Sequence, residues 1–216
     1  GGSFTMLGGG GSGTIARNRI GRLNADGSLD VNFNPGANNT VFELAVQSNG
    51  KIVVTGFFTG LGGGTGATPR SNIGRLNADG SVDASFDPGA NGQIGAVAVQ
   101  ADGKILVGGG FTTLGGGGTG TTARRYIGRL NADGSVDPGF DPGTTGTVGV
   151  FVIAQQADGK ILIAGASGPS GGPFDFGVIR LLPGGGLDTS FDGDGLATSD
   201  FGGTENAFSA LVLDDG

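Results

Sequence analysis

Arg129-Leu130-Asn131-Ala132-Asp133-Gly134-Ser135-Val136-Asp137 decides how this chain is read. The same nine positions return almost unchanged at 22–30 and 75–83. They return in degenerate form at 180–188, where Leu181-Leu182-Pro183-Gly184-Gly185-Gly186-Leu187 separates Arg180 from Asp188. Successive arginines, from Arg22 through Arg75 and Arg129 to Arg180, are 53, 54 and 51 residues apart. A near-constant step of that size marks a repeat architecture.

Ala-Asp-Gly is the loop of a three-residue β-hairpin: two residues form a type I turn, and Gly takes the left-handed position that follows. Asn24 then faces Ser28, Leu23 faces Leu29 and Arg22 faces Asp30. In the last copy Pro183 suits the first turn position and Gly185 the left-handed one. The arginine and the aspartate therefore stand opposite each other in all four copies: Arg22 and Asp30, Arg75 and Asp83, Arg129 and Asp137, Arg180 and Asp188. A cross-strand ion pair that fixes register is the favoured reading, because a fold needs equal copies and a binding site rarely does. A ring of charges lining a channel is the competing one.

A second hairpin of the same type lies between these units. It reads Gln47-Ser48-Asn49-Gly50-Lys51, Gln100-Ala101-Asp102-Gly103-Lys104 and Gln156-Ala157-Asp158-Gly159-Lys160, with a truncated relative at Leu213-Asp214-Asp215-Gly216. Two hairpins per period mean four short strands. In the middle unit these are residues 94–100, 104–109, 125–131 and 135–140. A Gly- and Thr-rich loop at 112–122 joins the second to the third, and Asp141-Pro142-Gly143 turns the chain onward. The last full unit has a longer passage, with its fourth strand expected over 196–199. Phe33, Phe86, Phe140 and Phe191 recur at one position and read as packing between units rather than a ligand platform.

An all-β chain with a repeat of about 54 residues and no helical stretch predicts a β-propeller of four-stranded antiparallel blades. The expected divisions are a partial blade at 1–40, blades at 41–93, 94–147 and 148–204, and the first strand of another at 205–216. An open β-solenoid ranks below it, since solenoid coils are shorter. The chain opens at Gly1 inside a unit. It is therefore expected to be a window of a longer protein, its fold completed by further repeats or by another copy.

The 51 Gly and 8 Pro among 216 residues would signal disorder in an aperiodic chain; here they recur in register between apolar strands. Cys and His are absent, which excludes disulfides, thiolate metal sites and chemistry that needs either residue. A net charge of −7 argues against nucleic acid and anionic membranes. No apolar run is long enough for a spanning helix.

The string Gln-x-Asp-Gly-Lys-Ile-Leu-Val-x-Gly-x-Phe-Thr, then a Gly-rich loop, then Ile-x-Arg-Leu-Asn-x-Asp-Gly-Ser-x-Asp-x-x-Phe, resembles the delta-60 repeat. The resemblance covers essentially the whole chain. It implies a bacterial β-propeller domain of unknown function, in proteins many of which are secreted, and it brings no catalytic residues. Ser167 and the Leu-Pro-Gly-Gly-Gly turn depart from the pattern.

Cofactors are expected to be none, with calcium as the minority reading. Asn24-Ala25-Asp26-Gly27 with Asp30 resembles a calcium loop but lacks the upstream acid and terminal Glu. Asp192 and Asp194, in an irregular stretch, have a slightly better claim. The glycine runs at 8–11 and 115–118 lack the Lys-Ser/Thr of a phosphate loop. Glu43 and Glu205 are the two glutamates and Tyr126 the single tyrosine, a thin basis for the carboxylate pair of a propeller glycosidase. The expected function is a non-enzymatic binding or scaffold module of a secreted or surface protein, offering loops to a protein or glycan. A propeller domain of a larger secreted enzyme, possibly carbohydrate-active, is the alternative.

Overall fold

The computed structural model describes residues 1–8, 15–143, 147–167 and 174–203, with 205, 207, 209, 210 and 212. The sixteen strands are Met6–Leu7 (β1), Ile15–Ala16 (β2), Val41–Val46 (β3), Ile52–Gly56 (β4), Gly60–Leu61 (β5), Thr68–Pro69 (β6), Ile73–Leu76 (β7) and Ile94–Val99 (β8). They continue with Ile105–Gly109 (β9), Thr113–Leu114 (β10), Thr122–Ala123 (β11), Ile127–Leu130 (β12), Thr147–Gln155 (β13), Ile161–Ser167 (β14), Asp175–Leu181 (β15) and Leu196–Ser199 (β16). Among the described residues there is no helix, and so none long and apolar enough to cross a membrane.

Three antiparallel sheets form the body: β3-β4-β7, β8-β9-β12 and β13-β14-β15-β16. Their second strands are mostly apolar because both faces are covered. Val53 packs forward against Ile94, Ile105 and Phe86, while its neighbour Val54 packs back against Ile20, Phe33 and Phe58. Leu106 likewise turns to Phe140, Val150 and Ile163, while Ile105 and Val107 turn the other way. The core thus lies between successive sheets, the face-to-face arrangement of propeller blades.

The fourth strand differs from expectation in two of the three sheets. In the middle unit it shrinks to one bridge, Leu130 to Val136, and in the preceding unit to Leu76 with Val82. The cause is the aspartate that follows. Asp137 Oδ1 accepts the Gly139 N–H at 2.9 Å and the Asp137 carbonyl accepts the Phe140 N–H at 3.3 Å, so the backbone turns before a ladder can grow. The last sheet has its fourth strand, β16, paired with β15 from Phe176–Ser199 to Ile179–Leu196. The Gly-rich passage of the other units is also more ordered than a plain loop, holding the small hairpins β5–β6 and β10–β11. The strand expected in 205–216 falls largely outside the described residues.

One irregularity recurs. The first strand of each sheet carries a β-bulge whose extra residue is Phe42, Gly95 or Phe151. A bulge leaves that residue out of the ladder and re-aims it. The first strands lie next to one another, and the three bulged residues line one cavity.

Candidate functional site

Each hairpin forms as its loop chemistry dictates. Asp26, Asp79 and Asp133 accept the backbone N–H of the serine two residues on at 2.9 Å. The serine hydroxyls donate to the same oxygens, and these bonds hold the three carboxyls below their ordinary pKa. The loop aspartates are therefore already occupied as turn acceptors.

Arg22, Arg75, Arg129 and Arg180 place Nε 2.8–2.9 Å from the Oδ2 of Asp30, Asp83, Asp137 and Asp188. The middle pairs are buried, whereas the Arg22 side chain is 42% exposed. Each of the last three aspartates also meets the lysine that ends the preceding hairpin motif, at 2.7 Å for Lys51, 2.9 Å for Lys104 and 3.3 Å for Lys160. The Lys104 hydrogen bond comes first among the causes that lower Asp137 to about 2, joined by the Gly139 N–H and Arg129 against an opposing burial cost. At Asp83 burial is the largest single influence and raises the pKa, but bonds from Lys51, Ser85 and Arg75 together bring it well below the ordinary range. At Asp188 the Ser190 hydroxyl leads the lowering.

The arginines also reach into the next unit. Nη1 of Arg22, Arg75 and Arg129 donates to the carbonyls of Ala78, Ala132 and Pro183 at 2.7, 2.6 and 2.7 Å. Each guanidinium lies over its own phenylalanine, 4.2 Å from the ring centres of Phe33 and Phe86 and 4.4 Å from that of Phe140. The turn glycine of the following unit presses on the other side of that ring. A Cβ on Gly80, Gly134 or Gly185 would sit 2.9–3.0 Å from Phe33, Phe86 or Phe140. The repeated arginine, aspartate and phenylalanine therefore form a seam between units.

A second arginine per unit went unread in the sequence although its spacing is regular. Arg17, Arg70 and Arg124 each lie five residues before the first arginine and are buried. Their Nη2 atoms donate to the carbonyls of Val31, Asp83 and Asp137 respectively at 2.9, 3.2 and 3.3 Å. Arg70 and Arg124 also meet Asp87 and Asp141 of the Asp-Pro-Gly turns, at 3.6 and 3.3 Å. In the fourth unit the corresponding residue is Asp175.

The remaining acidic candidates are dispersed. Asp192 is exposed with φ 50°, and Asp194 Oδ1 caps the Leu196 N–H at 2.9 Å. The carboxylates that converge are instead Asp175, Asp200 and Glu205, with ligand oxygens within 4.8 Å of one another, which is a spacing that could hold a divalent cation. Glu43 is elsewhere, on β3, at the axial side of the molecule where the first strands β3, β8 and β13 lie side by side. Its Oε2 accepts the Val97 N–H of β8 at 2.7 Å, and burial against its surroundings raises its pKa despite that bond.

At the end of the molecule that carries the loops between units lies a cavity of about 310 Å³. Asn38, Asn39, Phe57, Thr59, Ser71 and Thr119 contribute to its wall, and among the described residues no titratable side chain does. Phe57 is 55% exposed there. The backbone of this end is fixed by amides: Asn38 Oδ1 accepts the N–H groups of Thr59 and Gly60, and Asn91 Oδ1 those of Thr112 and Thr113.

Sheets packed face to face, joined by one seam repeated in register, define a β-propeller repeat protein. A family model described as a β-propeller domain of unknown function, DUF5122, matches residues 1–33, 47–86, 100–140 and 156–191. These segments cover more than half of the chain, which belongs to that family. The resemblance read from the residues pointed to a propeller repeat of this kind. A comparison with curated proteins found no match.

Proposed function

We propose that the chain is a non-enzymatic binding module of an exported bacterial protein, and that its loop end takes a neutral glycan. The observation that carries this reading is the cavity of about 310 Å³ between units, walled by amides, hydroxyls and the exposed ring of Phe57, with no titratable group among the described residues. Sugars present hydroxyls to amide side chains and C–H faces to aromatic rings, and a wall without acid or base offers no proton transfer. The export assignment rests on the delta-60 resemblance.

A glycan array probed with the purified chain, followed by a panel of chromogenic glycosides, tests the proposal. Binding without turnover is expected, weakened about tenfold by Phe57→Ala, a loss in keeping with an aromatic contact. Hydrolysis of any glycoside by the pure chain, or binding that ignores Phe57→Ala, would sink it.

A further inference from the structure

We propose that the axial cavity beside Glu43 is a binding site for an organic cation, a protonated alkylamine or a quaternary ammonium. This site is separate from the glycan-type cavity between units and does not depend on it. It has a volume of about 290 Å³ and is lined by Phe42, Glu43, Gly95, Phe151, Val152 and Ser209, among others.

The first argument is how these residues are placed. The β-bulge at the start of each first strand puts one residue out of the ladder: Phe42, Gly95 and Phe151. All three line this cavity. The ladder residue immediately before each bulge is constant in kind and buried: Val41, Ile94 and Val150. The bulged residue varies, two rings and one glycine that leaves space between them. The rings of Phe42 and Phe151 are 46% and 37% exposed. Bulges that recur while the residue they aim changes are a device for shaping a site.

The second argument is the charge. The arginine–aspartate pairs of this chain come in equal copies and hold the fold together. Glu43 comes once: the corresponding residues of the next two first strands are Ala96 and Val152. Among the described residues no lysine or arginine lines its cavity. The Val97 N–H takes Oε2 at 2.7 Å and fixes the carboxylate, leaving the second oxygen for a ligand. The Glu43 side chain is exposed enough for a ligand to reach it, and partial desolvation raises its pKa, so a cation that pairs with the carboxylate is favoured. Aromatic faces beside a single carboxylate attract an ammonium through the ring quadrupole and the opposite charge together. A divalent metal wants six or so oxygens, which this lining does not offer.

Isothermal titration of the chain with tetramethylammonium chloride and n-butylammonium chloride tests the site, with neopentyl alcohol as the neutral control. Saturable binding of at least one cation is expected, with amide shifts at Gly95 and Val97 marking the place. Glu43→Gln keeps an acceptor for the Val97 N–H and should leave melting unchanged while weakening binding about tenfold. Phe151→Leu supplies a second variant that keeps the carboxylate and should also weaken binding. The proposal is overturned if the wild type shows no saturable binding, if the alcohol binds as well as the cations, or if both variants bind as the wild type does.

Discussion

The seam between Arg129 and the fourth hairpin differs from the half-buried pair at Arg180 although the motif is the same. Arg129 is buried, stacks on Phe140, and donates to the Pro183 carbonyl at 2.7 Å; Gly185 closes the far side of that ring. Arg180 keeps its aspartate and lies 4.7 Å from the centre of Phe191, but its Nη2 turns to Ser190 of its own hairpin. Phe191 is only partly buried where Phe33, Phe86 and Phe140 are fully so. At the other extreme, a Cβ on Gly27 would meet nothing within 4 Å, whereas one on Gly80, Gly134 or Gly185 would meet a ring. The hairpin thus carries two functions that separate at these faces. The ion pair belongs to the hairpin alone, and the full burial of the ring belongs to its neighbour.

Acid should break the contrast most completely, because it acts on every copy at once. Asp137, lowered to about 2, contributes stability that is present above the unfolded carboxyl pKa and is lost as pH falls through the folded one. Asp83 and Asp188, lowered further, act in the same direction. Glu43, raised, acts oppositely, since its protonation favours the folded state, but it is one group against several. Unfolding followed by circular dichroism between pH 5 and pH 2, a span about the ordinary carboxyl pKa, should show a steep loss below about 4. Constant stability across that range would show that the couples contribute nothing.

Phe140→Ala should cost about 4 kcal/mol, as deletion of a buried ring does, while Phe191→Ala should cost only about 1 kcal/mol. Urea denaturation of the two variants measures the difference; equal losses would mean that the neighbouring hairpin adds nothing to the ring. Arg129→Ala should cost about 3 kcal/mol, since it takes one of two cations from buried Asp137 and also removes the bond to the Pro183 carbonyl. Arg180→Ala should cost visibly less, and a ranking in the other order would refute the seam. Among the glycines, Gly134→Ala combines a left-handed backbone with a clash on Phe86 and should cost about 2 kcal/mol; Gly27→Ala keeps only the backbone strain, about 1 kcal/mol. Matching melting shifts for these two would leave the ring contact without energetic weight.

The sequence carried the hairpins because their determinants are local. Asp133, Gly134 and Ser135 lie within one loop, and the eight-residue spacing from Arg129 to Asp137 follows from that loop alone. Lys104 meets Asp137 and Arg75 meets the Ala132 carbonyl only after sheets have packed, so no short pattern announces either contact. The fourth strand is shorter than its pattern suggests because Val136 alternates as a strand residue should, while the turn imposed by Asp137 one position later ends the pairing. The Arg17, Arg70 and Arg124 series is legible in its spacing, but nothing in the sequence marks its carbonyl partners. Phe42, Gly95 and Phe151 could not be read, because a one-residue slip in register leaves no composition signal. Asp200 and Glu205, which meet Asp175 at the start of β15, come from an irregular passage that no repeat constrains.

The seam recognises a backbone carbonyl and a bare turn, and it meets Ala132 in one place and Pro183 in another with the same geometry. Neither contact inspects a side chain at the position it touches. Whole periods can therefore be gained or lost by unequal crossover between equivalent codons, and each new junction inherits a working interface. Selection on such a gene adjusts length in unit steps, while the bulged positions along the axis remain free to diverge one copy at a time.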